Sequence, residues 1–88
     1  MPMQDAAIRI ESAIKVVYRV TAFEARATDD LDEVSRLWGA MAEVCQQAVK
    51  KLAALTHEGR ECGIGTYTDR ISDLANKCQR LQAMHRSQ

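Results

Sequence analysis

The stretch Leu31–Leu55, LDEVSRLWGAMAEVCQQAVKKLAAL, decides how this chain folds. Within it Leu31, Val34, Trp38, Met41, Cys45, Ala48, Leu52 and Leu55 follow one another at alternating steps of three and four residues. That alternation holds one line of side chains on a single face of an α-helix, whereas a strand would scatter them over both faces. Leu37 and Val44 widen the stripe on one flank, Ala42 and Val49 on the other. A two-position seam serves one neighbouring helix; a face this wide serves two. The preceding segment RATDDLDE supplies the start. Asp30, followed three residues later by Glu33, has the form of a capping box, with Thr28 and Asp29 as competing caps. A helix over about 30–57 is predicted, roughly 40 Å long at 1.5 Å per residue.

Working outward, residues 4–27 read as a second helix. Ala6, Ile10, Ala13, Ile14, Val17 and Val20, with Val16 and Phe23, cover about half of a helical wheel. Glu11, Lys15, Arg19 and Arg26 fall on the other half, which reads as the solvated side. The segment IKVVYRVTAF has the β-branched content of a strand. Its flanks AAIRIESA and EARA are helix-forming, however, and no hairpin turn follows. Arg9 and Glu24 project into the apolar arc near its two ends, where a charge either snorkels to water or pairs across an interface.

On the other side, HEGRECGIG gathers three of the four glycines. Gly59 suits a helix C-cap, and Gly63 and Gly65 suit a turn with positive φ. A third helix over about 66–86 opens at Thr66 or Thr68. Its seam, Ile64, Tyr67, Ile71, Leu74, Cys78, Leu81 and His85, is narrower. The 88 residues therefore read as one all-α domain, an up-down-up arrangement of three helices with the long central helix touching the other two. So short a chain buries a modest share of its surface, and the first helix has more apolar surface than two neighbours cover. Completion by homodimerisation into a larger bundle is expected, with Ile10, Ile14, Val17, Val20, Phe23, Glu24 and Trp38 at the interface.

Charge and cysteine content narrow the chemistry. Twelve Lys and Arg balance twelve Asp and Glu, which argues against a protein built to bind a phosphate backbone. Asp29, Asp30, Asp32 and Glu33 at a helix start, and Lys77, Arg80 and Arg86 at a helix end, match the helix dipole. An odd count of cysteines (Cys45, Cys62, Cys78), without CxxC or a signal-peptide pattern, predicts reduced thiols in the cytoplasm. No apolar run reaches the length of a membrane span. His57 and Cys62, and Cys78 and His85, are spaced unlike the close ligand pairs of a compact zinc site. Cys45 and Cys78 occupy seam positions, where a free cysteine acts as a small hydrophobe. No metal and no cofactor are predicted. Cys62, beside Arg60, is the one thiol whose neighbourhood would favour reactivity.

One short segment carries a family resemblance. Arg80 and His85, separated by Leu81-Gln82-Ala83-Met84, form a pattern that resembles the R-x4-6-H motif of HEPN-domain ribonucleases, which are small, helical and dimeric. The resemblance spans six residues, and Leu81 stands where that family often has a polar residue. It implies Arg80 and His85 near a dimer interface, with His85 in acid–base chemistry on RNA. A helical nucleic-acid-binding regulator using Lys77, Arg80 and Arg86 is the other alternative; no aromatic residue is interleaved with those bases to stack on nucleotides. The chain as a whole reads instead as a small protein–protein interaction module. It would be a scaffold, an adaptor, or a regulator or inhibitor of another protein, acting as a homo-oligomer rather than as an enzyme, with no membrane partner.

Overall fold

The computed structural model describes residues 3–57 and 64–86. They form three α-helices: α1 (Met3–Ala27), α2 (Leu31–His57) and α3 (Ile64–Arg86). The turn between α1 and α2 is set by Asp30. Its carboxylate oxygen Oδ1 accepts the backbone N–H of Asp32 at 3.0 Å and of Glu33 at 3.4 Å, satisfying two donors at the start of α2. The reciprocal half of the expected capping box is supplied differently. The Asp30 N–H donates to Thr28 Oγ1 at 3.2 Å, while Glu33 turns to Arg36, 3.9 Å away one turn on. Thr28 and Asp30 thus share the cap.

α3 begins at Ile64, two residues before the expected start. Gly65 therefore lies in its first turn and does not adopt the positive φ expected of a turn glycine. A first-turn residue has no intrahelical N–H bond to lose, so glycine is tolerated there. Gly59, Cys62 and Gly63 lie outside the described residues.

α2 packs most extensively against α3, and the two run antiparallel. Met41, Cys45, Leu52, Ile71 and Cys78 are essentially sealed from solvent, with Val34, Ala42, Ala48 and Ala75 buried around them. The buried line Val34, Trp38, Met41, Cys45, Ala48 and Leu52 follows the three-and-four spacing of the opening stretch. Burial pushes the Cys45 thiol up to about 11, with the nearby Cys78 adding to the effect, and raises the Cys78 thiol as well. Both are free and protonated at neutral pH. Gly39, a third of the way along α2, makes room for Gln82 of α3: a Cβ there would collide with the Gln82 amide.

α1 is held by fewer contacts, antiparallel to α2 and parallel to α3. Its orientation is fixed by Glu11, which accepts two hydrogen bonds from Arg70 (2.7 Å from Nε, 2.9 Å from Nη2). Seven residues on, Lys77 lies 5.6 Å from the centre of the Tyr18 ring. Both pairs join residues 59 apart, as parallel helices in one register require. Tyr18 also packs on Trp38 with ring centroids 5.5 Å apart, and the Thr21 hydroxyl donates to the Met41 sulfur at 3.7 Å. Glu11 is thus corrected from solvated to buried. Its paired guanidinium, with Lys15 at 3.9 Å, offsets the cost of removing the carboxylate from water.

The three helices extend 45 × 20 × 14 Å with a radius of gyration of 14.4 Å. A compact domain of this length would have about 12 Å. The excess is the signature of long parallel rods, and it leaves more side-chain surface uncovered than a sphere would.

Candidate interaction surface

The inward face of α1 is the line Ala7, Glu11, Ile14, Tyr18, Thr21 and Ala25, each three or four residues from the next. Much of the exposed apolar surface of α1 lies on another side, apart from Ile8, which is 45% exposed on the opposite flank. Phe23 is 72% exposed, Val16 58%, Val20 51% and Val17 39%. At 100° per residue these four, with Ala13, fall on one continuous arc of α1 turned toward the α2 side.

That arc runs into a groove of about 530 Å³ between α1 and α2. Ile10, Ile14 and Ala48 line its depth and Ala13 and Val44 its apolar walls, while Glu43, Gln47 and Lys51 form a polar margin. Val44 is 40% exposed, so α2 extends the apolar surface of α1 rather than ending it.

The expected interface residues divide into two groups. Val17, Val20, Phe23 and Glu24 stand exposed on the outer face of α1, and Ile10 is half-buried at the groove. Ile14 and Trp38 are committed inside the protomer, Ile14 beneath the groove and Trp38 against Tyr18. Ala13, Val16 and Val44, to which the sequence pattern assigned no interface role, complete the surface. Ala13 and Val16 are exposed because the face of α1 that turns inward is the one carrying Ala7, Glu11, Ile14 and Tyr18.

Arg80 and His85 are not brought together. Five residues along a helix is a rotation of 500°, which leaves the two about 140° apart around α3. Arg80 is exposed. His85 turns inward and lines a crevice of about 410 Å³ at one end of the molecule, with Tyr18, Trp38, Leu81, Lys77 and Arg26 among its walls. Its Nδ1 is buried with no hydrogen-bond partner among the described residues. Lys77 is engaged over the Tyr18 ring, and no carboxylate of the described residues lines the crevice.

Among the described residues, no three His, Cys, Asp or Glu side chains are grouped so as to hold a metal ion. None of the described helices is long and apolar enough to cross a membrane. No protein-family model matches the chain, and no curated protein or solved structure matches it either.

Proposed function

We propose that this protein is a helical protein–protein interaction module that works in the cytoplasm as a homo-oligomer, associating through the outer face of α1. The observation that carries the reading is the exposure of Val16, Val17, Val20 and Phe23 on one arc, continuous with the groove beside Val44. Isolated apolar side chains on a surface are ordinary, but a contiguous patch with a polar margin is the usual mark of an association site. Its activity as a scaffold, adaptor or regulator would then lie in the surface that the assembly presents to a further protein.

Light scattering on the full chain at micromolar concentration tests the reading. The expected mass is twice the 9.8 kDa of one chain. A Val20→Glu variant should return the single-chain mass with unchanged helix content, because Val20 contributes little to the protomer's own core. A wild-type protein that runs as a single chain would overturn the proposal.

A further inference from the structure

We infer that two copies of this chain pair α1 against α1 in antiparallel fashion, about a two-fold axis passing between Val16 and Val17, with Arg9 of each copy set against the partner's Glu24. The inference rests on the self-association proposed above and specifies its register. Ala6, Ala13, Val20 and Ala27 recur every seven residues along the outer face of α1. Between them come the pairs Arg9 and Ile10, Val16 and Val17, and Phe23 and Glu24. A seven-residue repeat of this kind is what allows two helices to pack side by side over several turns.

The stripe is its own complement. Rotation about an axis between Val16 and Val17 carries residue 16 onto 17, 13 onto 20, 10 onto 23, 9 onto 24 and 6 onto 27. Val16 then lies level with the partner's Val17, Ala13 with the partner's Val20, and Ile10 with the partner's Phe23. Each pairing occurs twice, as a two-fold interface requires. The small Ala13 faces the larger Val20 near the middle of the stripe, while Ile10 and Phe23, about 140° apart around the helix, flank it on opposite sides.

The charges select this direction over the parallel one. Antiparallel pairing places both Arg9–Glu24 contacts at the ends of the apolar stretch, roughly 20 Å apart along the helix. Parallel pairing would set Arg9 against Arg9 and Glu24 against Glu24. Glu24 also lies in the last turn of α1, where the helix dipole disfavours a carboxylate. Val20, Thr21, Ala27 and Thr28, its neighbours at three and four residues, offer it no cation.

Charge reversal read by sedimentation equilibrium tests the register. Arg9→Glu and Glu24→Arg should each weaken self-association roughly tenfold, because each creates two like-charge contacts. An equimolar mixture of the two variants should recover wild-type affinity, since their heterodimer has Glu against Arg at both ends. The double variant Arg9→Glu/Glu24→Arg should recover it as well. If wild type self-associates but the single reversals leave its affinity unchanged, or the mixture fails to recover, the antiparallel register is overturned while self-association stands. A monomeric wild type overturns both. These positions are exposed, so circular dichroism should show unaltered helix content in every variant.

Discussion

Set side by side, the two faces of α1 reverse the usual order of a surface helix. The inward face carries Ala7, Glu11, Ile14, Tyr18, Thr21 and Ala25, and the outward face Ala13, Val16, Val17, Val20 and Phe23. The inner line contains one large aliphatic side chain and is otherwise small, polar or amphipathic. It is held by direction-specific contacts: the Glu11–Arg70 pair, the Tyr18–Lys77 contact, and the Thr21 hydroxyl on Met41. The outer face has its large apolar side chains mostly exposed among the described residues. On one face α1 is tied down by specific pairing, and on the other it leaves hydrophobic surface exposed, the surface proposed above for association.

The contrast is open to attack at several points. The largest effect is expected at Ile14, the one large aliphatic on the inner line. Ile14→Ala should cost about 2–4 kcal/mol of protomer stability by denaturant unfolding at low concentration. Val16→Ala on the outer face should stay within about 0.5 kcal/mol under the same conditions. Equal costs at the two positions would remove the distinction.

The α2–α3 core should show itself at alkaline pH. Cys45 keeps its proton in the folded chain up to about 11, against an ordinary value of 9.0 in the unfolded chain. Above pH 9 the unfolded state therefore binds fewer protons, and stability falls. The contribution is fully present below pH 9 and is lost as pH rises through 11, a loss on the order of 2–3 kcal/mol. Cys78 acts in the same direction. Cys45→Ala should flatten the decline between pH 9 and 11. A decline of undiminished size would place its origin elsewhere.

Smaller effects sharpen the picture. Arg70→Ala should cost about 1–2 kcal/mol, because it leaves the Glu11 carboxylate buried with Lys15 as its remaining ion-pair partner among the described residues. Arg70 is itself 53% exposed, which keeps the figure below that of a fully buried pair. Gly39→Ala should change stability least. It gains up to about 1 kcal/mol of helix propensity, offset by the displacement of Gln82 needed to admit the methyl group. Thermal unfolding of the two variants reads both.

The helices were legible because α2 and α3 announce themselves by apolar periodicity. Val34 to Leu52 and Ile71 to Cys78 face each other, and seams of apolar side chains at three-and-four spacing can hardly pack otherwise. The first helix was legible as a helix but not in orientation. Its inner line has the same spacing, yet it contains Glu11 and Thr21, so a reading weighted by hydrophobicity ranked the opposite face first. Glu11 becomes intelligible as a buried residue only once Arg70, 59 positions away, is known to lie across from it. The crevice at His85 was hidden for a similar reason, since Tyr18, Trp38 and His85 come from three different helices. The cap at Asp30 was readable because a cap is local; the share taken by Thr28 depended on the bend of a three-residue turn.

The most direct test of the outer face is a dilution series followed by two-dimensional NMR of the isotopically labelled full chain. Self-association through α1 predicts that the methyl signals of Val16, Val17 and Val20 and the Phe23 ring signals shift with concentration. The signals of Leu52 and Ile71, sealed in the α2–α3 core, should remain still. Spectra that do not change with concentration, or changes confined to residues outside the α1 face and its groove, would contradict it.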